Sequence, residues 1–279
     1  MEIRFLGTSA AEGCPALFCK CSYCETLRQK QEPHSFRTRS QALINRDLLV
    51  DFPPDTYLHF LKNPTLDLSA VKHILITHSH EDHFYPEDML LNSPCFSSTV
   101  SVPIHIYGNA TVISRMASYI ERAPGFYQAK EFLCLHLLEP FHTASIGDYA
   151  VTPVLADHDK AEACYLYVIE QGGKTLLYGN DTGILLREET WTALKKFHYD
   201  LVSMDCTACL RDVPGGHHMG LPNNLEMAQR LTDMGCISER TQFVITHFSH
   251  HYAPFAQRLS KNLPAQNWTV AFDGMRLCV

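Results

Sequence analysis

The sequence contains no run approaching the ~18 uncharged apolar residues that carry a helix across a bilayer, so a membrane-spanning helix is not expected. Residues 1–6 bring no basic stretch leading into an apolar one, which argues against a secretory leader. Positive charge is in deficit: 23 Lys and Arg stand against 30 Asp and Glu, a formal net charge of −7. With no global positive field, neither nucleic acid nor an anionic membrane is expected as a partner. Linkers and low-complexity segments are missing too, so one domain spanning residues 1–279 is expected. These absences describe a soluble, cytoplasmic chain.

What the sequence does hold is 16 His and 11 Cys, side chains that are the commonest soft metal ligands. In a reducing compartment an odd number of cysteines points to buried thiols and metal ligands rather than disulfides. Cys95, Cys134, Cys164, Cys206, Cys209, Cys236 and Cys278 are scattered and read as small core residues.

Short β-branched or apolar runs at 3–6, 41–44, 48–50, 71–76, 102–107, 149–155, 165–169, 175–178, 201–204, 243–245 and 270–272 predict strands. Amphipathic patterns predict helices over 188–197, over 225–234 with Gly235 as C-cap, and over 254–263, where Pro254 suits a first turn. Helices are expected to dominate the connections only in the second half. Sheets covered by helices follow, as a four-layer sandwich or a doubly wound sheet. One internal echo, Ile74-Leu75-Ile76-Thr77-His78-Ser79-His80 against Phe243-Val244-Ile245-Thr246-His247-Phe248-Ser249-His250, hints at two similar halves presenting histidines at corresponding strand ends.

The strongest signal is Thr77-His78-Ser79-His80-Glu81-Asp82-His83, directly after the apolar run 71–76. His78, His80, Asp82 and His83 are four candidate ligands within six residues. At the exit of a buried strand the turn aims alternate side chains inward, where they can converge on a metal pair. Cys19, Cys21 and Cys24 place three thiols within six residues, with Cys14 shortly before. Three clustered thiolates read as a closed tetrahedral zinc site that lacks its fourth ligand. Gly215-Gly216-His217-His218-Met219-Gly220 is a glycine-flanked loop with two histidines ahead of the helix near Leu225.

With His-x-His-x-Asp-His the chain resembles the metallo-β-lactamase superfamily, whose signature this is. The resemblance implies an α/β fold, the four-layer αββα sandwich, and further ligands in the family's order. These are His158 after the run 149–155, Asp181 after 175–178 and His247 after 243–245. It implies that His78, His80 and His158 hold one divalent ion, that Asp82, His83 and His247 hold a second, and that Asp181 bridges both. Asp51 fits the family's aspartate behind the ligands, although the usual following glycine is replaced by Phe52-Pro53-Pro54. Asp205, beyond the run 201–204, is given a supporting or structural role.

Within the superfamily, Gly7-Thr8-Ser9, Gly13-Cys14-Pro15, the three cysteines, Thr246-His247-Phe248-Ser249-His250 and Phe272-Asp273-Gly274-Met275 resemble the cyclic phosphodiesterases of the carbon-phosphorus lyase pathway. In that branch the three cysteines share a structural zinc with the histidine at the position of His250, for which the adjacent His251 could substitute. A loop histidine at the position of His218 acts there on the phosphoryl or leaving group, with His217 the competing choice. The implied protein is a dinuclear metal-dependent hydrolase with two divalent ions, zinc or manganese, and one structural zinc. Its implied activity is a phosphodiesterase acting on a small phosphorylated substrate, a cyclic phosphate or a nucleotide. The alternatives are a thioester, lactone or lactam hydrolase, and a metal-dependent cofactor-biosynthesis protein like the sister branch that serves pyrroloquinoline quinone. Processing of tRNA would call for a basic RNA-gripping surface and usually an inserted arm, neither visible in the sequence. The oligomeric state is left open, a homodimer included.

Overall fold

The computed structural model describes residues 1–30, 35–98, 102–252 and 255–279. The chain begins with β1 (Glu2–Gly7), α1 (Ser22–Gln29), β2 (Gln41–Ile44), β3 (Leu48–Val50) and α2 (Thr56–Lys62). It continues through β4 (His73–Leu75), α3 (Pro86–Met89), β5 (Ile104–Gly108), α4 (Ala110–Arg122), α5 (Ala129–Phe132) and β6 (Leu133–Leu137). The second half brings β7 (Ala144–Ile146), β8 (Tyr149–Leu155), β9 (Tyr165–Gln171), β10 (Lys174–Gly179), α6 (Glu188–Leu194) and β11 (Leu201–Asp205). It closes with α7 (Leu221–Asp233), β12 (Gln242–Thr246), α8 (Phe255–Ser260), β13 (Trp268–Val270) and β14 (Met275–Cys278).

Two seven-stranded sheets result, ordered β14-β1-β2-β3-β4-β5-β6 and β13-β12-β11-β10-β9-β8-β7. Period-two alternation decides which side chains meet between them. In β9, Tyr165, Tyr167 and Ile169 join the inter-sheet core with Phe5, Ile44, Val50 and Leu75 of the first sheet. Leu166 and Val168 of the same strand face the other way, packing with Trp191, Leu194, Met227 and Leu231 of α6 and α7. The outer face of the first sheet, with Leu49, Ile74 and Ile106, is covered by Val112, Met116 and Ile120 of α4. Helix, sheet, sheet, helix is the four-layer sandwich, and the doubly wound alternative is excluded.

Each sheet carries the same pairing pattern. From β14 to β3, and from β7 to β10, neighbours are antiparallel. From β3 to β6, and from β10 to β13, they are parallel. The two halves are therefore alike, but β4 corresponds to β11 in this pattern and β12 to β5. The Thr-His echo at 77–78 and 246–247 thus falls on non-equivalent strands. The equivalent strands β3 and β10 are instead followed by Asp51, one residue on, and Asp181, two residues on, which both hold φ 64°.

Several sequence expectations need correction. Helices also connect the first half, most clearly α4, where Asn109 Oδ1 accepts from the Val112 N–H at 2.9 Å and an i, i+4, i+8 stripe is buried. Strand 270–272 lies instead at Trp268–Val270, and β6, β7 and β14 add strands that the periodicity did not announce. α7 starts at Leu221, four residues before the expected start, with Pro222 in its first turn and Gly235, φ 74°, just past its end. Of the strand expected at 102–107, the described part begins at Ile104, and Pro254 lies outside the described residues. Cys95 and Cys278 are exposed and Cys134 is half-buried, so they are not core residues.

A buried polar network joins the motifs at the two chain ends. Asp273 accepts from the Thr8 hydroxyl at 2.7 Å and from the Thr38 N–H and hydroxyl at 2.7 and 2.6 Å. Thr38 Oγ1 lies 2.7 Å from His59 Nε2, and His59 Nδ1 donates to Gln41 Oε1 at 2.5 Å. Gln41 Nε2 in turn donates to the Asp51 carbonyl at 3.0 Å. Burial pushes the His59 imidazole down from 6.5 to about 4. The folded state therefore holds this proton less tightly than the unfolded chain. The stability contributed by neutral His59 is complete above about pH 6.5 and is lost toward about pH 4, at up to ~1.4 kcal/mol per pH unit. Urea unfolding followed from pH 7 to 4.5 should show this decline, and His59→Gln should flatten it.

Candidate metal centre

The carboxyl ends of β3 and β4 in one sheet, and of β8, β10, β11 and β12 in the other, open on the same crevice. They deliver Asp51, the 77–83 turn, His158, Asp181, Asp205 and His247. Asp181 lies at the middle, almost wholly buried. Its oxygens stand 3.5 Å from His78 Nε2, 3.1 Å from His83 Nε2, 3.3 Å from His158 Nδ1, 3.0 Å from His218 Nδ1 and 3.7 Å from His247 Nε2. His80 Nδ1 is 3.0 Å from His78 Nε2 and 3.3 Å from His158 Nε2, and Asp82 is 3.3 Å from His83 Nε2. Three groupings share Asp181: one with His78, His80 and His158, one with Asp82, His83 and His247, and one with Asp205, His218 and His247.

Four of these rings are fixed at the nitrogen that faces away from the cluster. His83 Nδ1 donates to Asp51 Oδ2 at 2.7 Å, and His78 Nδ1 meets Thr77 Oγ1 at 3.0 Å. The Thr77 hydroxyl and N–H both donate to Asp51 Oδ1 at 2.9 Å. His247 Nδ1 meets Thr207 Oγ1 at 2.9 Å, and His80 Nε2 meets Asp159 Oδ2 at 3.3 Å. Each such contact leaves the opposite nitrogen, as a lone pair, pointing at the cluster. His83 Nε2, His247 Nε2 and Asp181 Oδ1 are buried and have no hydrogen-bond partner among the described residues. A tetrahedral ion with bonds of 2.0–2.2 Å has ligand-to-ligand edges of about 3.3–3.6 Å. The observed spacings, 3.0–3.7 Å, span those edges, so the donor set fits a divalent metal.

Charge within the cluster is strongly coupled. Burial pushes His78 and His158 down, whereas on His83 the Asp82 and Asp51 carboxylates outweigh burial and hold it well above its ordinary value. His247 is likewise raised against burial by Asp181 and Asp205. Asp181 stays well below the carboxylate range because the surrounding imidazoles overcome its burial. His218 is half-buried, and Asp205, at 3.1 Å, and Asp181 raise it to about 11 despite desolvation. It pairs with two carboxylates as a cation. His217 is exposed, with its carbonyl 3.2 Å from His158 Nδ1 and its ring edge-on to the His158 ring.

Asp51, Asp181 and His247 all adopt left-handed backbone, φ 64°, 64° and 61°. Such positions cost about 1–3 kcal/mol each for non-glycine residues and persist only where neighbours over-determine them. For Asp51 those neighbours are the Leu75 carbonyl, Gln41, Thr77 and His83. The glycine missing after Asp51 is thus replaced by contacts, with Phe52 N–H donating to the His83 carbonyl at 2.7 Å. Thr207 escaped sequence analysis. Its only signal there was its place two residues after Asp205, whose carboxylate accepts from the Thr207 N–H at 2.9 Å.

Cys19, Cys21 and Cys24 form a separate grouping with His250. His250 Nδ1 lies 3.5 Å from Cys24 Sγ and 3.9 Å from Cys21 Sγ, near the ~3.6–3.8 Å edges of a tetrahedron with 2.3 Å metal–sulfur bonds. His251 is exposed. Cys21 caps α1, and the Cys24 N–H together with His250 lowers its thiol to about 6. Burial raises Cys24 to about 11.

A family model for the beta-lactamase superfamily domain matches residues 46–248. The chain belongs to this superfamily. Among solved structures, a diphosphatase of the PhnP family is 21% identical with a TM-score of 0.73, covering 100% of this chain and 97% of its own. Zinc-bound PqqB from Methylobacterium extorquens is 17% identical with a TM-score of 0.68, covering 100% of both chains. The short form of human tRNase Z is 19% identical with a TM-score of 0.66, covering 100% of this chain and 99% of its own. These likenesses bear on the fold of the superfamily. No curated protein matches the chain in sequence. Among the described residues no helix is long and apolar enough to cross a membrane.

Asp51 carries the outer anchors of His78 and His83 together, so Asp51→Ala should weaken zinc binding at the cluster about 10–100-fold. A competition titration against a chromophoric chelator reads that shift, and unchanged affinity would remove Asp51 from the site.

Proposed function

We propose that this protein is a dinuclear metal-dependent hydrolase, a phosphodiesterase acting on a small cyclic phosphate or a nucleotide. The observation that carries the reading is the convergence of His83 Nε2, His247 Nε2 and Asp181 Oδ1, buried and without a hydrogen bond of their own, in one cluster of His and Asp donors. His78, His80 and His158 would hold one ion, Asp82, His83 and His247 the other, and Asp181 both, with zinc or manganese equally suited to the His and Asp donors. When bound, a pair of divalent ions supplies an activated water and a Lewis acid for phosphoryl oxygens. The chain's own part is to orient and to move protons. Asp51 and Thr207 hold the imidazoles in the required tautomer. His218, a cation beside the cluster, is suited to steady negative charge on the phosphoryl group or to protonate the departing alkoxide. The likeness to a PhnP-family diphosphatase supports phosphoryl chemistry. The net charge of −7 speaks against an RNA substrate.

Activity of a metal-analysed sample against phosphodiester, phosphomonoester, thioester and lactam substrates tests the reading. Preference for a thioester or lactam would overturn it. On a diester with a poor leaving group, His218→Ala should lose about 10²–10⁴-fold in rate, with a smaller loss on a nitrophenyl diester, whose leaving group departs without a proton. Metal content should stay unchanged. Equal losses on both substrates would make His218 a binder of phosphoryl oxygens instead.

Cys19, Cys21, Cys24 and His250 would hold a third, structural zinc. Cys21→Ser should then remove that zinc and lower the melting temperature, while the catalytic pair keeps its occupancy. A variant as stable as the parent, but inactive, would assign the thiols to the reaction.

A further inference from the structure

Ser79 is the spacer between His78 and His80, and each of its polar groups is held by another part of the fold. Its N–H and hydroxyl both donate to Glu162 Oε1, at 3.0 and 2.8 Å, and its carbonyl accepts from Arg115 of α4. The other Glu162 oxygen accepts from Asn109 Nδ2 at 2.7 Å. That amide nitrogen also reaches the Ala163 carbonyl at 2.8 Å, while Asn109 Oδ1 caps α4. Glu162 stands in the β8–β9 connection, four residues after His158. One carboxylate therefore ties the turn that presents His78 and His80 to the segment that presents His158, and pins both to the start of α4. His83 and His247 take their supports elsewhere, from Asp51, Thr207 and Asp205.

We infer that Glu162 is a positioning residue which, through Ser79, sets the spacing of His78, His80 and His158 and so the affinity of that half of the cluster alone. The inference rests on the two-ion reading above. Both Glu162 oxygens are already occupied by donors, so it is not itself a ligand. Its removal would free the Ser79 N–H and hydroxyl and let the two ligand-bearing segments drift apart. Because ligand spacing must hold to within about 0.2 Å, a small drift is enough to weaken an ion.

The test is zinc titration of the full chain against a competing chelator, with elemental analysis after desalting. The parent should hold two ions at the His/Asp cluster, apart from zinc at the cysteines. Glu162→Ala should keep one and weaken the other about 10–100-fold, the size of loss that supporting residues typically cause. His158→Ala should lose the same ion, and the double variant should lose no more than His158→Ala does, since both act on one half-site. Glu162→Gln keeps an acceptor for Ser79 but turns an amide N–H toward Asn109, and should show a milder loss of the same ion should the alanine variant not fold. Unchanged affinities with a lowered melting temperature, or equal weakening of both ions, would overturn the inference. A parent chain holding fewer than two ions at the cluster would overturn the two-ion reading itself, a result visible before any variant is made.

Discussion

The buried carboxylate of Asp181 is the constraint around which the rest is arranged. A lone carboxylate out of water is costly unless its charge is met. Here five imidazoles meet it, at 3.0–3.7 Å, from the 77–83 turn, the β8–β9 connection, the loop before α7 and the end of β12. Yet His78, His83 and His247 are held at Nδ1 by Thr77, Asp51 and Thr207, so in the neutral form each turns a lone pair toward carboxylate lone pairs. That arrangement repels itself. Two things relieve it: protons on the rings, which the raised values of His83 and His247 express, or cations between them. The anchors favour cations, because they already fix the tautomers a metal needs.

The matching of the two sheets shows how this arrangement is built. β3 and β10 occupy equivalent places, and each is followed by an aspartate with φ 64°. One or two residues past the strand end, each aspartate reaches into the crevice. Their work has diverged. Asp51 accepts from N–H and O–H donors and holds the histidines from behind, whereas Asp181 stands among the inward-facing imidazole nitrogens.

Most of the strand framework was legible because strands buried on both faces read as short apolar runs bounded by turns. The runs 41–44, 48–50 and 149–155 have the observed bounds. β14 was not legible, since it pairs with β1 across almost the whole chain and only that pairing makes Met275–Cys278 a strand. Edge strand β6 hid its pattern in Leu-Cys-Leu-His-Leu, where half-exposed positions carry little contrast. In the site, the contiguous His-x-His-x-Asp-His could be read as chemistry, while His158, Asp181 and His247 needed the order of a family to be picked out. Glu162 and Thr207 carried no such signal. Their importance lies in contacts across 83 and 40 residues of sequence, which only the folded chain brings together.

The cysteine cluster adds a reason for its own position. His250 follows the left-handed His247 by three residues, and its Nδ1 faces the thiols at the start of α1. Between them, Phe248 pairs with Ser9, and its N–H donates to the Thr8 carbonyl at 2.9 Å. The segment after β12 is thus fastened to the N-terminal segment at two successive points. A thiophilic ion joining Cys21 and Cys24 to His250 would make a third, covalent in character. Cys21, already low at about 6, could engage first, whereas Cys24 at about 11 must release its proton to bind. Such a staple would brace the left-handed turn at His247 from outside the crevice. His247 Nε2, 3.7 Å from Asp181 and anchored behind by Thr207, would then be braced from both sides.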